Sequence, residues 1–268
     1  MSNDISTIQD KLPNQTTIST TLPEDFFPEF QEKYNNTAIL TREGSDLLER
    51  NPFFFQNLQI LIERMEEKIE ASIIVQKVTG RMFLTTLEDS MPIALANNLG
   101  KQFTLSFLDR GSESWAFLIT IDGEPEKYVL KMPTRGLIYE MSGPLEELKS
   151  NTRKKPPQYK RQLKVTLAME DTFEEELNKA NMHLPEYIMA CDFFSITRFE
   201  KAGEPVDDEV FKSRLEPTRK LIKRKIQDLA ILDRLDFWDG VVVDWMTEDS
   251  FRVRDDGSYV CIDPITIY

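Results

Sequence analysis

The sequence predicts an α+β fold, and three observations predict it. Apolar and polar residues alternate between about residues 103 and 132, as strands require. Apolar residues recur at three- and four-residue steps before and after that region, as helices require. Asp122-Gly123 lies between two strand-like runs and reads as a hairpin turn. The 268 residues, 40% hydrophobic, suffice for one large domain or a domain with an extension. Charge narrows the function. The 33 Lys and Arg against 46 Asp and Glu leave a net of −13, which repels phosphate backbones and makes general nucleic-acid binding a poor fit. Two cysteines, Cys191 and Cys261, exclude a disulfide framework and suit a reducing compartment. With the single His183 they exclude a Cys-rich zinc site, and Ser-His-Asp chemistry would rest on that one imidazole. No apolar run reaches the length of a membrane span, and the first twenty residues lack a signal-peptide core. The expectation is a cytoplasmic protein with no membrane partner.

Taken in order, residues 1 to about 23 are rich in Ser, Thr, Asn and Gln and read as a flexible or loosely docked leader. Asp25 to Tyr34 carries aromatics at helical spacing. From Asp46 to about Val75 the periodicity is helical, broken early by Pro52. A further helix is expected from Leu84 to Asn98, with Gly100 as its C-cap. Strands follow at Phe103 to Phe107, Trp115 to Ile121 and Lys127 to Met132. Thr134 to about Val165, with 8 basic and 3 acidic residues and three prolines, reads as a basic loop insertion. Residues 171–182 read as helix, Tyr187 to Phe199 as strand, and Glu209 to Leu232 as helix. Phe251 to Ile267 reads as two strands joined by Asp255-Asp256-Gly257. The organisation expected is an extension over 1–99 and a domain over 100–268.

Chemistry is carried by ends of apolar strands. Lys131 ends Tyr128-Val129-Leu130, Asp244 follows Val241-Val242-Val243, and Asp263 ends Tyr259 to Ile262. A carboxylate at the end of a buried strand does not serve packing, because burying it unpaired is costly. Two such carboxylates beside a hairpin supply hard oxygen ligands for Mg²⁺, and a lysine neutralises phosphate charge.

These residues resemble the protein-kinase-like superfamily. Leu108 to Ala116, with Gly111, Ser112 and Ser114, is similar to a degenerate Gly-rich loop, and Ala116 stands where kinases keep a small residue against adenine. Lys131 follows Gly111 by twenty residues, like the nucleotide lysine. Asp244-Trp-Met-Thr-Glu-Asp249 resembles the catalytic loop, and Asp263-Pro264-Ile265 stands in the place of Asp-Phe-Gly, nineteen residues on. The Asp-Pro motif and the bare Asp without a His-Arg pair resemble the early-gene serine/threonine protein kinases of podophages.

The resemblance implies a two-lobed kinase-like fold with an N-lobe over about 100–200 and a minimal C-lobe over about 201–268. It also implies ATP and Mg²⁺ as cofactors, protein substrates, and, for a phage protein, action on host proteins in the host cytoplasm. Lys131 would hold the α/β-phosphates and Glu175 would pair with it, Glu174 and Glu176 being adjacent alternatives. Thr197 to Glu200, including Arg198, would be the hinge that holds adenine. Asp244 would be the catalytic base, and Asp249 and Asp263 the metal ligands. The sequence departs from the family in its single loop glycine, in Asp249 for Asn, and in Val242-Val243 for His-Arg. It also ends five residues after Asp263, so a truncated C-lobe is expected.

Each residue also has a plain reading: Lys131 as a snorkelling lysine, Asp244 as a helix N-cap, Asp263 as the start of a turn, Asp256-Gly257 as a hairpin. Their joint order is what favours phosphotransfer. The rivals are a nucleotide-binding interaction protein without transfer and a small-molecule kinase of the aminoglycoside type. Residues 212–225 carry 7 basic and 1 acidic residue, a helix face read either as solvated or as a docking surface.

Overall fold

The computed structural model describes residues 17–23, 37–79, 93–94, 101–110, 114–133, 158–200, 206–232, 238, 240–243, 250–262 and 265–267. It is a mixed α and β structure dominated by a large antiparallel sheet. The described residues fall into two compact units. One contains residues 18–157 and 188–199, the other 158–187 and 200–268.

The first unit is built on a meander. Strands β4 (Phe103–Arg110), β5 (Ser114–Ile121) and β6 (Tyr128–Pro133) pair antiparallel in sequence order, with Phe103 opposite Ile121 and Ile119 opposite Tyr128. The expected hairpin at Asp122-Gly123 is present, and Gly123 takes φ +78° there, a conformation open to glycine at little cost. β6 pairs next with β9 (Ser195–Arg198), which follows β8 (Tyr187–Ala190). The run Tyr187 to Phe199 is thus two strands rather than one. It turns at Cys191 to Phe194, where the Cys191 amide donates to the Phe194 carbonyl at 2.9 Å.

Residues ahead of the meander complete this sheet. β1 (Ile18–Thr21) pairs with β2 (Thr37–Leu40), β2 pairs with β8, and β3 (Ile93–Ala94) pairs with β4. Among the described residues the order is β1-β2-β8-β9-β6-β5-β4-β3. Two expectations are corrected here. The polar leader ends in a strand, because Thr and Ser fit a pleated edge once a partner is present and Leu22 is 1% exposed. Ile93–Ala94, expected inside a helix, is a strand, because pairing with Thr104 and Leu105 overrides a weak helical pattern. Asp25 to Tyr34 and Gly100 lie outside the described residues.

Helices α1 (Arg42–Arg50) and α2 (Phe54–Thr79) are separated at Pro52, as expected, but α1 starts earlier than Asp46. Thr41 explains the early start: its hydroxyl accepts the Gly44 amide at 3.2 Å and caps the helix. Leu47, Phe54, Leu58, Leu61, Ile62 and Met65 lie against Phe103, Leu105, Trp115, Phe117, Leu130 and Ile196 in one buried cluster. The sheet hairpin is also clamped to the end of α1. Glu124, 5% exposed at its side chain, accepts from Arg50 Nε at 3.2 Å, Asn51 Nδ2 at 3.2 Å and Lys101 Nζ at 2.7 Å. Burial pulls its carboxyl upward, but the hydrogen bonds from Lys101 and Asn51 and the charge of Arg50 outweigh it and hold the group below the usual range.

The second unit contains α3 (Tyr159–Thr172), α4 (Glu174–Ala180), α5 (Asp208–Val210) and α6 (Glu216–Leu232), with a π-helical turn over Phe211–Leu215. α3 corrects the loop expected up to Val165. Its lysines and arginine gave the stretch a loop-like composition, yet Tyr159, Leu163 and Val165 to Met169 are buried. On this helix, half-burial first and Lys160 second push the Lys164 ammonium below its ordinary range. The helix expected over 171–182 therefore belongs to two helices, broken at Phe173 and closed by Asn181 at φ 52°.

Short strands finish the unit. β7 (Met182–His183) pairs parallel with β12 (Tyr259–Cys261), and β12 pairs antiparallel with β11 (Phe251–Val253). The end of the chain has a third strand beyond the expected hairpin, β13 (Ile265–Ile267), which pairs antiparallel with β10 (Val241–Val243). No helix among the described residues is long and apolar enough to cross a membrane. Residues 134–157 of the expected basic loop lie outside the described residues.

Candidate functional site

Alternation along the first unit's strands sorts the candidate residues by face. Trp115, Phe117, Leu130, Met132 and Ile196 point into the buried cluster. The intervening residues share the other face. There Ala116 is opposite Lys131, and Lys131 is opposite Ser195. Leu118, Val129 and Thr197 form the next row, and Ser114, paired with Pro133, starts the row before. Ser114, Ala116 and Lys131 are half-buried. β4 also carries a bulge between Phe107 and Asp109, so Leu108 is the extra residue. Gly111 and Ser112 lie outside the described residues.

One polar group on this face, Ser195, was missed by sequence reasoning. Ser195 is 1% exposed, and its Oγ has no hydrogen-bond partner among the described residues; Thr197 is buried beside it. Nothing local marks Ser195, because its nearness to Lys131 comes only from the β6–β9 register. A buried hydroxyl without a partner costs about 1–3 kcal/mol, a cost that a ligand's polar atom would remove.

The hinge candidates are tied differently. The Arg198 guanidinium pairs with Glu43 and lies 4.0 Å from Glu126. The Phe199 amide donates to the Lys127 carbonyl at 2.8 Å. Glu200 belongs to the second unit, where its carboxylate takes two hydrogen bonds from Arg254, one of them from Nε at 3.0 Å. Charged side chains at Arg198 and Glu200 are therefore engaged by protein partners.

The glutamates of α4 also belong to the second unit. Glu175, 75% exposed at its side chain, pairs with Lys179 on its own helix. Glu176, 11% exposed, pairs with Lys225 of α6, and that hydrogen bond holds its carboxyl below the usual range. Of the three neighbours, Glu176 is the one directed inward.

Asp244, Asp249 and Asp263 lie outside the described residues, but their flanks are described. Val243, directly before Asp244, is the register partner of Ile265, which follows Asp263 by two residues. Ser250, directly after Asp249, accepts a hydrogen bond at 2.9 Å from the amide of Ile262, directly before Asp263. These flanks are fixed by the unit's core, in which Val243, Phe251, Cys261 and Trp238 are buried with Phe173 and Phe211. α3 packs against β13. The Asp256-Gly257 turn is structural: Gly257 has φ +77°, and Asp256 accepts the Ser258 amide at 2.9 Å. Hydrogen bonds from Ser258 hold the Asp256 carboxyl down. His183 is exposed on β7.

Among the described residues no group of three or more His, Cys, Asp or Glu side chains converges as a metal site. Compared with protein-family models and with curated protein sequences, the chain matches none.

Proposed function

We propose that this chain is an ATP- and Mg²⁺-dependent phosphotransferase of the protein-kinase-like class, acting on serine or threonine hydroxyls of proteins. Of the kinase types, the podophage early-gene enzymes that modify host proteins are the model for it. One observation carries the reading. The flanks of three aspartates are brought together in two pairs, Val243 with Ile265 by strand register and Ser250 with Ile262 by a hydrogen bond. Order in the first unit adds support. The lysine strand is the third of a meander, as in kinases, and Lys131, Ala116 and Ser114 share the less buried face.

The donor set fits the proposed cofactors. Aspartate oxygens suit Mg²⁺. A lysine in strand register with a small residue and with a buried hydroxyl that has no partner among the described residues suits a phosphorylated ligand at Lys131, Ala116 and Ser195. When bound, Mg-ATP supplies the transferable phosphoryl group. In this reading Lys131 holds α/β-phosphate oxygens, and Asp263 with Asp249 holds the metal. Asp244 orients the attacking hydroxyl and accepts its proton as the new P–O bond forms and the bond to the β-phosphate oxygen breaks.

A second reading, nucleotide binding without transfer, is favoured by one observation. Glu175 and Glu176, candidates to pair with Lys131, are engaged by Lys179 and Lys225. One experiment separates the two. The full chain is incubated with γ-labelled ATP, Mg²⁺ and bacterial lysate, beside Asp263→Asn and Lys131→Met. Label transfer reduced at least about 100-fold in both variants is the expected outcome. Thermal stabilisation by Mg-ATP without transfer would select the second reading. Wild-type turnover in Asp263→Asn would sink the assignment.

A further inference from the structure

We propose that the solvent side of α6 docks a short acidic protein segment bearing an apolar side chain. In a chain of net −13, residues 212–225 carry 7 basic residues and 1 acidic one. The cations do not all serve the fold. Lys212 pairs with Asp208, Arg219 and Lys220 with Glu216, and Lys225 with Glu176, while the Arg214 guanidinium lies 5.8 Å from the Tyr259 ring centre. Lys223 and Arg224 are exposed and have no ion-pair partner among the described residues.

The helix turns Ile222 and Ile226 inward; Lys220, Lys223 and Arg224 share its solvent side, and Leu221, 45% exposed, lies at the edge of that side one turn before Arg224. A basic helix face with one apolar side chain at its edge complements an acidic peptide with an apolar residue. The stripe from Lys220 to Arg224 spans only about 6 Å along the axis, a few peptide residues. A nucleic acid is disfavoured, because its many phosphates would also meet the remaining acidic surface. Neither nucleotide nor phosphotransfer enters this inference, so it stands or falls separately from the proposed function.

The test measures binding of a fluorescein-labelled acidic peptide with one central leucine to the full chain. A single-stranded DNA of equal charge is measured beside it. Binding is expected, weakening between about 50 and 300 mM salt. The triple variant Lys220→Gln/Lys223→Gln/Arg224→Gln should lose at least about tenfold in affinity with its unfolding midpoint unchanged, since exposed charges contribute little to folding. Leu221→Ser should weaken binding several-fold without altering the salt slope. No binding, undiminished binding by the triple variant, or tighter binding of the DNA would overturn the proposal. So would concentration-dependent self-association abolished by the triple variant, which would make a second copy the occupant.

Discussion

The two units solve the problem of burial differently. In the first, a long antiparallel meander gathers its aromatic side chains on one face beneath α1 and α2. The opposite face is left with Ser114, Ala116, Lys131, Ser195 and Thr197. In the second, strands of two or three residues depend on partners far along the chain, such as Met182 with Tyr259 and Val243 with Ile265. The first unit's stability is local to its face. The second unit's stability and the positioning of its aspartate flanks are the same set of contacts. Chemistry that needs distant carboxylates brought together is suited to the second kind of construction.

That contrast can be broken most forcefully on β5. Phe117→Ala, on the aromatic face, should cost about 3–5 kcal/mol in denaturant unfolding. Leu118→Ala, next in sequence but on the other face and half-buried, should cost no more than about 1–2 kcal/mol. Equal losses would mean that the two faces are not distinct in energy.

A smaller effect is expected at Gly44. Alanine in a helix ordinarily gains about 1 kcal/mol over glycine. Here a Cβ would run into the Ile188 carbonyl, whose carbon would lie 3.1 Å away and which also accepts the Thr41 amide at 3.1 Å. Gly44→Ala should therefore destabilise, by about 1–3 kcal/mol. A stabilised variant would show that α1 moves freely relative to β8.

Glu124→Gln should cost about 1–2 kcal/mol, because a neutral amide accepts more weakly from Arg50 and Lys101. The pH dependence has a fixed sign. A carboxyl whose folded pKa is depressed contributes fully above its unfolded value, about 4.3, and loses that contribution as pH falls through the folded value. The gap between wild type and variant should hold from pH 8 to about 5 and narrow below. A gap that widened on acidification would contradict the clamp.

The smallest effect belongs to Glu175. Its ion pair is solvent-exposed within α4, so Glu175→Gln should leave the unfolding midpoint where it was. If label transfer nevertheless fell sharply, Glu175 would be part of the phosphotransfer machinery, and the second reading would lose its support.

Much of the architecture was legible from local chemistry. The meander of β4 to β6 declared itself through alternation and the Asp122-Gly123 turn, and the paired helices through their periodicity and Pro52. Local cues failed where partners were distant. Ile18–Thr21 and Ile93–Ala94 are strands only because β2 and β4 lie beside them. α3 was hidden by its charges, although its apolar residues are buried.

The candidate site divides the same way. Strand ends nominated Lys131, Asp244 and Asp263 directly from the sequence, because charge at the end of an apolar run is visible in one dimension. Ser195 beside Lys131, the commitment of Glu200 to Arg254, and the pairing of β10 with β13 came only from the tertiary structure. Residue type and spacing fix which backbone conformations are cheap. Which surfaces meet is fixed by register and burial across long separations, where each contact's free energy depends on a partner that the local sequence does not contain.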